Sequence, residues 1–366
     1  MRTRLSLFLI ICFLAVSFSV QAKEPMKIWK GEASRRVKAE HMNMPMSDEA
    51  FYTDRYTLEA WFDNGTRVWV SILANNLGPI RGKMTVKSRW YEASGKEHYF
   101  KKELSRGDYK VSSAPFSVEA AGYKLWGSPR SIKVRGKAGA FSYNVTFASG
   151  LRPWRPGTGR TEFGESGTHY YDTTMMQPKA KVSGWVSKGG AKSKLKGYGY
   201  VIHTHTNMAP HNMFKRLTEI RSIDSDTVLH LKQFKTPGGF GGKNVGFLYL
   251  ARGGKVIASS TGFRLKSSNF KRDGKHANHY KVPLLLSTSL KRKNKLIEIT
   301  ITASRISGRD DVLASMGMIK RALIKQFAQP VNYTMDATVK ISIKEGDAEP
   351  VVTEEKVSYE VHHMNK

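Results

Sequence analysis

The chain has 366 residues, with 60 Lys or Arg against 30 Asp or Glu, for a formal net charge of +30. That length gives one large or two ordinary domains with a sizeable core, which excludes a small scaffold dependent on staples. The one cysteine, Cys12, lies within the first 22 residues, so a chain that loses this leader has no thiol for a disulfide, a thiolate metal site or a cysteine nucleophile.

In chain order, Arg2 and Arg4 precede an apolar run from Leu5 to Val20, and Val20-Gln21-Ala22 offers the small residues of a signal-peptidase site. The run is shorter than the ~20 residues of a membrane span. A cleaved signal peptide over residues 1–22 is therefore expected, and with it an exported, periplasmic protein. Residues 23–50 are polar and Met-rich without a period and read as an arm.

Strands follow. Leu58 to Phe62, the turn Asp63-Asn64-Gly65, and Arg67 to Leu73 predict a hairpin, because Asn-Gly accepts the positive φ of a tight turn. Met84 to Tyr91 and His98 to Glu103 repeat the pattern, and further strands are predicted at Phe116–Ala120, Tyr123–Trp126, Ile132–Gly136 and Phe141–Phe147. Leu151 to Gly167 is rich in Pro and Gly and marks the expected boundary. The division is thus a first unit at 51–165 and a second at 166–366. The second unit predicts strands from Lys181 through Ala303 and again from Thr334 to Val361. One helix interrupts them: Val312, Met316, Ile319, Leu323 and Phe327 recur at helical spacing between Asp310 and Ala328, which suggests a helix packed on a barrel wall. The fold class is all-β, with enough short antiparallel strands in each half for its own barrel or sandwich.

The stretch from Gly197 to His211 stands out. As a strand it places Lys192, Lys194, Lys196, Tyr198 and Tyr200 on an outer face, and Leu195, Gly197, Gly199, Val201, His203 and His205 on an inner one. Glycines followed by histidines on an inner face suit a cavity. The candidate ligand-binding residues are accordingly Gly197, Gly199, Val201, His203, His205, Met208, Pro210 and His211. Three readings of the histidines stay open: pocket lining, ordinary structural roles, or a zinc site shared by His203, His205 and His211. No carboxylate lies between Lys179 and Lys215 to orient them, so neither a metal nor a cofactor is expected. Thr236 to Lys243 is Gly-rich but lacks the Gly-Lys-Ser/Thr ending of a phosphate loop and reads as a flexible loop between strands.

The basic charge admits a solvated surface, attraction to anionic lipid head groups at about 1 kcal/mol per residue near the surface, or nucleic acid. No zinc spacing, helix-turn-helix signal or aromatic-basic motif supports the last, so nucleic acid is not expected as a partner.

Several of these residues carry a resemblance. Gly197-x-Gly199 with His203, then Met208-x-Pro210-His211, Phe234-x-Thr236-Pro237, and Val245-Gly246 leading to Gly254-Lys255 are similar to the second half of the fungal survival factor proteins. Asn75 to Arg81 and Ala180 to Gly184 extend the likeness over roughly residues 50–345. That resemblance implies two lipocalin-like (calycin) antiparallel barrels, and a hydrophobic ligand, lipid and sphingolipid-like, in a barrel or at their interface. It also implies a superfamily that includes carotenoid hydratases, which pair an Asp with a His and carry a nearby tryptophan. Here the Asp position reads Ile202 and no tryptophan follows. The expected function is an exported binder or carrier of a hydrophobic small molecule or lipid that docks at an anionic membrane surface. The alternative is an isomerase, cyclase or hydratase acting on an apolar lipid or polyene, with His203 or His205 as acid or base.

Overall fold

A computed structural model describes residues 25–29, 37–77, 80–224, 226–275, 278–314 and 316–364. The leader expected at 1–22 lies outside the described residues. The first sheet contains β1 (Met26–Ile28), β2 (Thr53–Phe62), β3 (Arg67–Leu77), β4 (Ile80–Tyr91), β5 (Glu97–Leu104), β6 (Tyr109–Ser113) and β7 (Phe116–Ala120). It continues with β8 (Tyr123–Ser128), β9 (Ser131–Ala138), β10 (Phe141–Ser149), β11 (Arg160–Phe163), β12 (His169–Lys188) and β13 (Ala191–Thr206). The second sheet holds β14 (Arg216–Ile223), β15 (Thr227–Lys235), β16 (Asn244–Arg252), β17 (Lys255–Ser260), β18 (Lys266–Arg272) and β19 (Lys281–Arg292). It ends with β20 (Lys295–Asp311), β21 (Val331–Glu345) and β22 (Val351–His363), and all pairings are antiparallel. The first sheet curls into a barrel and the second into a half-barrel, so the all-β, two-barrel expectation holds.

The period of two decides which residues fill these sheets. Along β2, Asp54, Tyr56, Leu58, Ala60 and Phe62 are buried while their neighbours are less so. The Asn64-Gly65 turn closes the hairpin with Gly65 at φ +79°, the conformation predicted for it. The interior of the first barrel is packed with large apolar side chains. Trp90 stacks on Phe62 at 5.8 Å and on Phe141 at 5.4 Å, and Tyr143, Phe147 and Tyr123 complete the filling. Each such side chain contributes about 1.5–3 kcal/mol by burial.

The arm before β2 belongs to this core. Met42 and Met44 are each 1 % exposed and plug one end of the barrel, which explains a methionine-rich segment without a period. The Tyr56 hydroxyl donates to the Met42 carbonyl, and Asn76 Nδ2 donates to the carbonyls of Ser47 at 2.8 Å and Glu49 at 2.7 Å.

The sheets divide later than composition suggested. β13 pairs with β2 from Gly197↔Phe62 to Thr206↔Thr53, and β12 pairs with β10, so residues 169–206 complete the first sheet. The first sheet runs to Thr206 and the second begins at Arg216, with Leu151–Gly167 inside the span of the first. The Pro/Gly-rich stretch is a long connection within one sheet, tied back by Trp154, whose backbone exchanges two hydrogen bonds with Met175. Breakers mark a connection, not its rank.

A third cluster joins the sheets. Phe163, Tyr200, Phe234, Phe247 and Tyr249 pack the outer face of β11–β13 against β14–β16, and Trp29 Nε1 donates to the Gly246 carbonyl at 3.1 Å. The loop expected to be flexible is pinned here, with Phe240 edge-on to Phe163 at 5.2 Å. His230 donates from Nε2 to the Pro178 carbonyl at 2.9 Å, and burial pushes its pKa down to about 4, so it is neutral.

The expected helix shortens to α2, Met318–Lys325, because β20 runs on to Asp311 and pairs with Val331 at the start of β21. Nor is its apolar stripe fully packed. Phe327 of that stripe is 63 % exposed, and Met318, which opens the helix, 85 %.

Candidate ligand-binding site

β13 delivers both histidines where the sequence placed them, but to partners far away in the chain. His203 is buried between Nδ1, which donates to the His41 carbonyl at 2.8 Å, and Nε2, 2.7 Å from Asp54 Oδ1. Both ring nitrogens face oxygen acceptors, an arrangement that favours the imidazolium. Burial opposes that charge, but the Asp54 carboxylate and the His41 carbonyl outweigh it and raise the pKa above its ordinary value. The ring lies flat on Tyr56, centroids 4.2 Å apart. Tyr52 completes the group, its hydroxyl shared between the Pro45 carbonyl and Asp54 Oδ2.

His205 has its own carboxylate. Its Nε2 is 2.7 Å from Asp172 Oδ2, and Arg160 forks onto the same carboxylate at 2.7 to 3.1 Å. Burial would raise the Asp172 pKa, but the bonds from His205 and Arg160 reverse it and keep the group ionised. Nδ1 of His205 has no hydrogen-bond partner among the described residues. Sequence reasoning missed both aspartates. Asp54 had a readable signal, an acid at an inward position of β2 between Tyr52 and Tyr56.

The glycines do not open a cavity. A Cβ on Gly197 would sit 2.0 Å from the Trp61 carbonyl oxygen, and one on Gly199 would sit 2.2 Å from that of Glu59. These residues let β2 approach closely. Val201 is part of the first barrel's filling, while Tyr200, expected outside, is fully buried on the opposite face against the second sheet. Met208 joins the inter-sheet cluster, Pro210 opens the short helix α1 (Pro210–Met213), and His211 stacks on Phe327 at 6.2 Å with its pKa lowered by burial. His211 is therefore not part of the His203/His205 group.

Between the sheets lies a second ionic group. Tyr200 donates to Glu59 Oε2 at 2.8 Å and accepts from Arg221 Nη1 at 2.5 Å, while Arg221 Nη2 meets Glu219 at 2.8 Å. Glu219, Glu360 and His362 come close enough to share a cation. Burial would raise the Glu219 pKa, yet Arg221 and Lys232 hold it well below the carboxylate range, so its charge is already balanced.

A cleft of about 1540 Å³ lies between the sheets, bounded by the β8–β9 turn, the segment after β10, β16–β17 and the β19–β20 turn. That exceeds the ~300–1,000 Å³ of drug-sized sites. Its apolar walls are Pro129, Pro153, Trp154, Tyr249, Ile257 and Ala258, and Trp154 packs on Tyr249 at 5.4 Å. None of the residues selected from Gly197 to His211 lines it. Its signal in the sequence was the breaker-rich stretch around Trp154 together with the turn Lys291 to Lys295.

Comparison with known proteins agrees with this architecture. The chain matches the Svf1 family over residues 17–361 and belongs to that family. No curated relative matches the sequence. Among solved structures, kievitone hydratase from Nectria haematococca is similar at 12 % identity with a TM-score of 0.56, over 94 % of this chain and 98 % of that one. An AttH candidate from Nitrosomonas europaea is similar at 13 % identity with a TM-score of 0.56, over 86 % of this chain and 94 % of that one. The structure of CghA is similar at 8 % identity with a TM-score of 0.57, over 93 % and 98 %. These likenesses establish the shared fold.

Proposed function

We propose that this Svf1-family protein binds and carries a hydrophobic ligand, a lipid, in the cleft between its two sheets. The observation that carries the reading is the pairing of a filled first barrel with a large open cleft whose walls are Trp154, Tyr249, Ile257 and two prolines. A lipid tail in such a cleft gains about 0.8 kcal/mol per buried CH₂, so a few methylenes suffice for useful affinity. The same reading includes export through the leader at 1–22 and docking of the basic surface at anionic membrane. Native mass spectrometry after mild extraction tests the ligand. A co-purifying lipid, or uptake from a lipid panel, is expected, and a protein that stays empty against the whole panel rejects the reading.

A second reading, catalysis of the isomerase, cyclase or hydratase type, is favoured by one observation: His205 is oriented by Asp172 through Nε2, and its buried Nδ1 has no hydrogen-bond partner among the described residues, so a substrate would have to open a path to it. His203 is unsuited, because both its nitrogens are engaged. Turnover of a lipid or polyene extract by wild type and by His205→Ala decides it, and identical products from the two proteins exclude acid–base work by this residue.

A further inference from the structure

We infer that the cleft selects amphiphiles with an anionic head group, held by cations around its mouth above an apolar floor. The inference rests on the lipid-binding reading and adds the head group to it.

Charge is the first observation. Eight of the cleft's lining residues are Lys or Arg, and none is Asp or Glu. Three of the eight are engaged. Lys295 pairs with Glu345 at 3.0 Å, Lys38 with Glu40 at 3.5 Å, and Arg292 donates to the Ser259 carbonyl. The other five, Arg130, Arg152, Lys255, Lys291 and Lys293, have no ion-pair or side-chain hydrogen-bond partner among the described residues. They come from four separate places: the β8–β9 turn, the segment after β10, the start of β17 and the β19–β20 turn. Folding gathers like charges from both sheets around one opening and leaves them uncompensated. Such an arrangement is self-repulsive, and a bound anion relieves it.

Position is the second. The cations are exposed, whereas Ala258 and Tyr249 behind them are buried, so charge stands at the mouth and apolar surface below. Tyr249 adds a polar point within the wall: it is fully buried and its hydroxyl has no hydrogen-bond partner among the described residues. A group with one oxyanion end and one hydrocarbon end matches this gradient. A free polyanion leaves Trp154 and Ile257 unused, and a neutral lipid leaves the five cations unmet.

The head group chemistry is that of a phosphate or carboxylate, which a free anion also offers, so the test separates the two. Uptake by the full-length mature chain is measured for phosphatidylglycerol and for phosphatidylcholine with the same acyl chains, with free glycerol phosphate as competitor. The expected result is at least about tenfold preference for the anionic lipid, weakened by raised salt, and no displacement by millimolar glycerol phosphate. Arg130→Gln/Arg152→Gln/Lys291→Gln/Lys293→Gln changes only exposed side chains, so its circular dichroism should match wild type. In this variant the preference should collapse while phosphatidylcholine uptake stays the same. Equal uptake of both lipids by wild type, or a preference that survives in the folded variant, overturns the head-group inference and leaves the lipid reading standing. Equally tight binding of free glycerol phosphate also overturns it, since the tail would then be irrelevant. No uptake of either lipid overturns both.

Discussion

The rings of His203 and His205 lie stacked with centroids 5.7 Å apart and planes 10° from parallel, yet each is tied to a different carboxylate. Asp54 comes from β2 and Asp172 from β12, so one strand's two histidines fasten it to both neighbours. A side-by-side pair with separate counter-ions is a structural rivet, and it also carries a pH dependence.

Because the folded pKa of His203 lies above its ordinary 6.5, the native state holds this proton more tightly than the unfolded chain. The resulting stability is present in full below about pH 6.5 and is lost as pH rises through the folded value. The difference in unfolding free energy between wild type and Asp54→Asn should therefore be largest in mild acid and shrink in alkali. Denaturant titrations across pH 5.5 to 9 measure it, and a gap that widens with pH contradicts the assignment. Imidazole NMR should show His203 titrating above 6.5 while His41 and His211 titrate below.

Gly199 should not tolerate a methyl group. Its Cβ would stand 2.2 Å from the Glu59 carbonyl oxygen and 2.9 Å from the Phe147 ring, so Gly199→Ala must push β2 from β13 or disturb the core. The expected loss is about 1–3 kcal/mol or more. Gly238→Ala, whose Cβ meets nothing within 4 Å, serves as the matched control and should be near neutral in thermal unfolding.

The arm's contribution can be measured against an exposed methionine. Met44→Ala removes a side chain 1 % exposed within the first barrel and should cost about 2–5 kcal/mol. Met318→Ala, at 85 % exposure, should stay within about 0.5 kcal/mol. Equal effects would mean that the arm does not plug the barrel.

Arg221 should hold the sheets together more than its position on one strand suggests. Replacing it with Met removes the donor to Tyr200 and leaves Glu219 with Lys232 alone and Glu59 with Arg67 alone, a loss on the order of 3 kcal/mol for weakened buried pairs. Limited proteolysis between Thr206 and Arg216 should accelerate in this variant, because the connection loses the sheet contacts that shield it. Tyr200→Phe, which removes only the hydroxyl, should have the smaller effect, about 1–3 kcal/mol.

Strand existence was legible almost throughout, because in β2, β9 and β10 one face is buried and the other wet, and alternation follows directly. The strand at Gly197–Thr206 misled because both its faces are covered there: Val201 and His203 enter the first barrel while Tyr200 and Ile202 meet the second sheet. Period two locates two faces but cannot say that each has a neighbour. The carboxylates of the histidine pairs escaped for a different reason. Asp54 lies 149 residues from His203, and only the β2–β13 register joins them. The helical pattern from Val312 to Phe327 was real only over Met318–Lys325, since β20 runs to Asp311 and a turn at 312–314 separates it from the helix. The cleft was hard to assemble from the sequence because its five unpaired cations are scattered over four segments, each of which reads alone as an ordinary wet stretch.

The pairing of β2 with β13 also sets a schedule. The arm is synthesised before the barrel, yet the imidazole that donates to the His41 carbonyl lies 162 residues downstream, and the strand that closes over β2 ends at Thr206. Until that strand is available, β2 has a free edge and the methionines of the arm have no finished barrel to enter. Contacts this distant make for slow folding. A nascent chain of this protein therefore stays open through more than half its length, because the barrel closes only once the residues up to Thr206 have been made.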